Sequence, residues 1–164
     1  MDVVEARGVL LVGSVAADLR TAAFGLTTLA RRYARCPALT DGPGEGADSE
    51  RVTTGHLEDL RSWAQVLVEY RRGRTRFVLD HVRLTAAREA GQLPVVATDE
   101  PRVVDALRRE SPDWFVVLLR GVGDRTWAEL DVALSVGLPA AVAPPLVHLA
   151  IQLREDSAAG PEPR

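Results

Sequence analysis

Lysine is absent from this chain: all 20 basic side chains among its 164 residues are arginine. Asparagine is absent as well, and isoleucine occurs once, at Ile151. These three residues are read from AT-rich codons, so a GC-rich genome thins them together. Arginine then stands in for lysine on a surface, but a lysine whose ammonium does chemistry would be kept whatever its codons. Cysteine also occurs once, at Cys36, which excludes an internal disulfide and fits a reducing cytoplasm. A lone cysteine before Pro37, with no histidine near it in sequence, lacks the neighbouring base that a nucleophile needs. No apolar run approaches the roughly 18 residues that a membrane span requires. Met1-Asp2-Val3-Val4-Glu5 lacks the basic start and apolar stretch of a secretory signal. Nor is there a basic excess: the net charge of −3 argues against nucleic acid as a partner.

What remains is ordinary for a globular protein, with 46% hydrophobic and 26% charged residues. The length suits a single domain, read here as residues 1–155 with a disordered polar tail over 156–164. Apolar runs alternate with amphipathic stretches, the pattern of an α/β fold with a mostly parallel sheet between layers of helix. Strands are expected at 9–12, 93–97 and 114–119, and a last one at 140–143. Helices are expected at 16–34, from Thr54 as cap, at 80–90 behind Asp80 and before Gly91, at 100–110 with Pro101 in the first turn, at 126–136 and at 145–155. Runs 64–70 and 75–79, joined by Arg71-Arg72-Gly73-Arg74, read as a hairpin in a small separate lobe. Cys36 to Arg51, with Asp-Gly-Pro-Gly-Glu-Gly and no apolar periodicity, reads as a mobile loop.

The first strand opens onto Gly13-Ser14-Val15-Ala16-Ala17-Asp18-Leu19-Arg20-Thr21. A phosphate-cradling loop of the form G-x-x-x-x-G-K-[ST] has two glycines, so that backbone N–H groups can wrap the anion, and a lysine that reaches the terminal phosphates. Here Asp18 stands at the second glycine and Leu19 at the lysine. A carboxylate repels phosphate, and leucine offers no donor. Arg20 could replace the lysine only after a shift of one residue, with Asp18 still opposed.

From the hairpin onward the chain resembles a guanylate kinase. That family follows a short helix with a hairpin of the form E-W-A-x-V-x-G-N-Y-Y-G-T, then a helix ending in A-G and a strand ending in acidic residues. The corresponding residues here are Ser62-Trp63-Ala64-Gln65-Val66, Arg76-Phe77-Val78-Leu79, Ala90-Gly91 and Leu93 to Asp99. The likeness spans about residues 8–135 and implies a three-layer, P-loop-kinase-like fold with a hairpin-bearing lobe. It also implies a ligand cleft near Ser14, Arg20, Trp63, Arg76, Phe77 and Asp99. Within that cleft the family's guanine-reading glutamate is Ser62, its paired tyrosines are Arg76 and Phe77, and its Gly-Thr is Val78-Leu79. The family's T-T-R-x-P-R clamp on the GMP phosphate falls near Leu39 to Glu45, where no arginine occurs between Arg35 and Arg51. Arg120-Gly121-Val122-Gly123-Asp124-Arg125-Thr126 resembles the family's arginine-bearing lid, whose arginines stabilise charge on the transferred group. A plain turn capped by Thr126 fits the same residues.

Four acid–base candidates lie at element ends: Asp80 and His81 before one helix, Asp99 and Glu100 before the next. Together they could serve proton transfer on a neutral substrate, or they could simply favour helix N-termini. His56 and His148 have no ligand partner at metal spacing, so neither a metal nor a cofactor is implied. Three functions fit these residues. The chain could be a guanylate-kinase-like pseudoenzyme that binds a protein partner or itself. It could be a fold recruited for other small-molecule chemistry in a specialised biosynthetic pathway, or a divergent nucleotide phosphotransferase. For association, the last helix is expected to bury Leu146, Leu149 and Leu153 on its own sheet and to offer Val147 and Ile151 to a second chain.

Overall fold

The structure, a computed structural model, describes residues 6–43, 46–119, 132–134 and 140–160. Strand β1 (Gly8–Gly13) is buried along its whole length, which a run of Val and Leu without polar alternation dictates. It sits at the centre of a five-stranded sheet between β7 (Leu93–Thr98) and β8 (Trp114–Leu119). The outer members are β2 (Tyr33–Arg35) beside β7 and β9 (Val132–Leu134) beside β8, and every pairing in this sheet is parallel.

Side-chain alternation along β1 divides the core in two. Val9 and Leu11 face α1 (Ala16–Leu29) and α5 (Ala143–Ala159), where Leu19, Ala23, Leu26, Val147 and Ile151 close the layer. Leu10 and Val12 face α3 (His81–Glu89) and α4 (Pro101–Glu110), through Leu84, Val103, Val104 and Leu107. Helices on both faces of a parallel sheet make the expected three-layer α/β fold.

The lobe is a second sheet in the order β4 (Ser49–Arg51), β3 (Ala38–Thr40), β6 (Thr75–Asp80), β5 (Val66–Arg72). One face carries α2 (Thr54–Ser62), whose Leu57 and Leu60 cover Leu39 and Val78. From the other face Tyr70, Phe77 and Leu79 enter the same hydrophobic cluster as Leu10, Val96 and Leu118. The lobe therefore shares a core with the main sheet.

Several boundaries differ from the sequence reading. The first helix stops at Leu29, and Tyr33–Arg35 turns into strand because Tyr33 is buried, with its hydroxyl 2.7 Å from His148 Nδ1. The segment read as a mobile loop contains β3 and β4. Leu39 packs under α2, buried Asp48 accepts from Arg35 Nε and pairs with its Nη2, and Val52 N–H donates to Thr40 O, extending the parallel β3–β4 ladder. Thr53, not Thr54, caps α2 by accepting from His56 N–H. Val132–Leu134 is strand within the span read as helix, and the alternation of Leu130, Val132, Leu134 and Val136 was the period-two signal for it. Residues 126–131 and 135–136 of that span lie outside the described residues.

Ala140–Val142 forms a single 3-10 turn rather than a strand, and α5 runs to Ala159, beyond the boundary drawn at 155. Helix α5 also turns the opposite way from expectation. Val147 and Ile151 are fully buried, while Leu146, Leu149 and Leu153 are exposed. From Pro144 to Ile151 only His148 is polar, so the sequence gives little amphipathic cue to the inward face, and the sheet takes the β-branched pair. Among the described residues no helix is long and apolar enough to cross a membrane.

Candidate functional site

Open parallel sheets take ligands at the carboxyl ends of their strands. In this chain that edge is formed by Gly13, Thr98 and Leu119, which lie side by side through the β1 pairings. The connection leaving β1 consists of Ser14 and Val15 only, because α1 already begins at Ala16. The N–H groups of Asp18 and Leu19 both bond Val15 O, at 3.1 Å each, so they are spent inside the helix. Leu19 is fully buried in the α1–sheet core, and Asp18 stands exposed in the first turn. Gly13 has a packing reason to be glycine: a Cβ there would lie 2.6 Å from Leu119 O.

Of the cleft candidates, Ser14 is exposed beside this edge. Arg20 points away along α1 and donates to Gly46 O at 3.3 Å. Trp63 caps the end of α2 and is 66% exposed. Arg76 and Phe77, adjacent on β6, diverge to opposite faces of the lobe sheet. The Arg76 guanidinium is buried and bonds Glu58 at 2.5 Å and Asp41 at 3.0 Å. Those carboxylates, Glu58 first, hold Arg76 more firmly protonated than an isolated arginine. Burial is the largest single influence on the Asp41 carboxyl and would raise it, but the hydrogen bond and charge of Arg76, with a further bond from Thr54, together keep the group below its usual range. Phe77 is fully buried and stacks on Tyr70 at 5.2 Å between ring centres. Burial pushes the Tyr70 phenol up to about 12.

The acid–base candidates occupy two separate places. Asp80 pairs in register with Val66 at one end of the hairpin, while Arg72 and Thr75 close the other. Arg72 is the residue that binds Asp99, through Nη1–Oδ2 at 2.9 Å and Nη2–Oδ1 at 2.6 Å. Glu100 lies 3.9 Å from the same guanidinium and caps α4 through Arg102 N–H. Five strand steps separate Thr75 from Asp80, roughly 17 Å. Asp80 caps α3 with Oδ1 and has Oδ2 buried without a hydrogen-bond partner. Its neighbour is Cys36, whose thiol is pushed up to about 11 by burial first and by the Asp80 charge second. His81 is exposed. Asp99 and Glu100 thus come together, as do Asp80 and His81, but the two pairs do not meet.

Arg72, Tyr70, Asp41 and Glu58 shape this region and were not singled out from the sequence as site residues. The clustered arginines at the hairpin tip were a signal for Arg72. Its distant carboxylates were not legible without the fold. The lid-like segment 120–126 lies outside the described residues.

No protein-family model matches this sequence, and no curated protein does. Among solved structures, guanylate kinase from Anaplasma phagocytophilum superposes on the chain with a TM-score of 0.61, covering 94% of this chain and 89% of that one. The fold is guanylate-kinase-like. Sequence identity between the two is 9%, so the likeness extends to the fold and no further. The carboxyl-end edge of the central sheet is built here by Gly13, Ser14, Thr98 and Asp99. This chain presents there a two-residue turn, an exposed Asp18 and carboxylates joined to arginine.

Proposed function

We propose that this chain is a guanylate-kinase-like pseudoenzyme, keeping the fold as a protein-binding or scaffold module after losing phosphoryl transfer. One observation carries the reading: the β1–α1 connection has only Ser14 and Val15, and the residue at the lysine position, Leu19, is part of the core. Two residues cannot wrap a polyphosphate, and the amides that would do so are bonded to Val15 O. Electrostatics point the same way. Asp18 opposes an anion at the helix start, and Arg72 and Arg76 already hold carboxylates in the forks that would grip phosphate. A cytoplasmic location goes with this reading, since Cys36 is buried as a thiol.

A thermal-shift series with ATP and magnesium, GMP, and unphosphorylated nucleosides tests the proposal. Binding to the native state must raise the melting temperature. No shift is expected with ATP or GMP at millimolar concentration. A saturable shift with either would return the chain to the nucleotide-binding proteins.

A further inference from the structure

Strand β5 is an edge of the lobe sheet and runs for seven residues, whereas β4 at the opposite edge has three. The outward N–H and C=O groups of an edge strand are a template for another strand. Which groups face outward follows from the hairpin. Gly73 and Arg74 alone join β5 to β6, so Arg72 and Thr75 exchange main-chain bonds, and by alternation so do Tyr70 with Phe77 and Val68 with Leu79. Glu69 and Arg71 therefore aim their N–H and C=O groups away from β6. Among the described residues none supplies those groups with a partner.

A bulge between Val66 and Val68 ends the regular edge on one side, and the turn ends it on the other. The remaining stretch, residues 68–72, is centred on Tyr70. Its two outward residues carry opposite charges. Their side chains share the face that carries α2, where Arg61 Nη2 holds Glu69 at 2.7 Å. Arg71 is exposed and pairs with no carboxylate among the described residues.

A second copy of this edge, laid antiparallel, has three registers that bring outward groups together. A two-fold axis at Glu69 sets Glu69 against itself, and an axis at Arg71 sets Arg71 against itself, both destabilising. An axis at Tyr70 sets Glu69 of each copy directly opposite Arg71 of the other, in hydrogen-bonded pairs that use the whole regular edge. We infer that the chain forms an antiparallel homodimer through β5, with the two-fold axis at Tyr70 and the two lobe sheets joined into one. So short an edge buries less than the roughly 800 Å² that each partner contributes to a standard interface, which sets the dissociation constant on the order of 10–100 µM. The pairing does not rest on the loss of phosphoryl transfer.

Sedimentation velocity of the full chain, from about 5 to 300 µM, is the test. Wild type should dimerise reversibly. Glu69→Arg sets arginine against arginine, and Arg71→Glu sets glutamate against glutamate, so each variant alone should bind itself at least about tenfold more weakly, with an unchanged circular-dichroism spectrum. Mixing the two variants should restore a dimer, because every charge then meets its opposite. A purely structural role for either residue would not give that rescue. If Glu69→Arg fails to fold, hydrogen exchange of wild type carries the test: the Glu69 and Arg71 amides should gain protection as concentration rises. A wild type that stays monomeric, folded variants whose mixture stays monomeric, or Glu69 and Arg71 amides that exchange independently of concentration overturns the inference.

Discussion

Arg72 and Asp99 join the hairpin lobe to the central sheet through a two-pronged ion pair, with N–O distances of 2.9 Å and 2.6 Å. Arg72 ends β5 and Asp99 follows β7, so the contact crosses the edge where ligands enter folds of this kind. The pair is about a third exposed on the arginine side and a fifth on the aspartate side, which tempers its strength. Arg72→Ala is expected to lower stability by about 1–2 kcal/mol, and Arg72→Lys to recover only part, because an ammonium cannot reproduce the fork. Urea unfolding of the three proteins measures this. Coincident midpoints would mean that the bridge contributes nothing net.

A lysine at position 19 should damage the fold. Leu19 is fully buried among Val9, Ala23 and Leu26, so Leu19→Lys must bury an ammonium or tear α1 from the sheet. A loss of about 3–5 kcal/mol is expected, with no gain in ATP affinity. Calorimetric unfolding together with a nucleotide titration checks both halves. A stable variant that binds ATP would contradict the burial argument.

Glycine in mid-helix is normally improved by alanine, and here the sign should reverse. A Cβ on Gly25 would sit 2.4 Å from Pro144 Cγ, where α1 crosses the start of α5. The usual propensity gain of about 1 kcal/mol is then outweighed by overpacking of about 1–3 kcal/mol. Gly25→Ala should melt below wild type. A higher melting temperature would place Pro144 elsewhere.

Acid should weaken the protein through its arginine-bound carboxylates. Burial raises Glu110, but the bonds from Arg88 and the Trp114 indole N–H outweigh it and hold the group below its ordinary 4.5. Glu50 is held low chiefly by its bond from Arg83. A carboxyl whose folded pKa is depressed stabilises fully above its unfolded value and loses that contribution as pH falls through the folded one. Stability should therefore drop below about pH 4.5, and Glu110→Gln should flatten that part of the drop. Guanidinium midpoints measured at about pH 7 and pH 3.5 decide it. An equal acid loss in the variant would exclude Glu110 from the effect.

The elements that read clearly were those with strong local chemistry. Asp80 does cap α3, Pro101 does open α4 behind Glu100, Gly91 does adopt positive φ after α3, and the hairpin joins β5 and β6 as its β-rich runs indicated. The three-residue strands β2, β3 and β4 escaped notice because they have no pattern of their own. Tyr33–Arg35 exists through its pairing with β7, and Ala38–Thr40 through α2 above Leu39. At the candidate site, Asp18 and Leu19 were legible as residue types. The two-residue turn was not, because it depends on where α1 starts. Arg76 and Phe77 were read as neighbours in one cleft, yet adjacent strand residues point to opposite faces. The facing of α5 was lost for a related reason, since only His148 is polar from Pro144 to Ile151.

Titration calorimetry with ATP and magnesium bears most directly on the reading of the β1–α1 turn. With Ser14 and Val15 alone between strand and helix, and Leu19 in the core, no binding heat should exceed dilution at physiological salt. A saturable micromolar isotherm, strengthened when Asp18 is changed to glycine, would mean that this edge still holds phosphate and that the chain is not a pseudoenzyme.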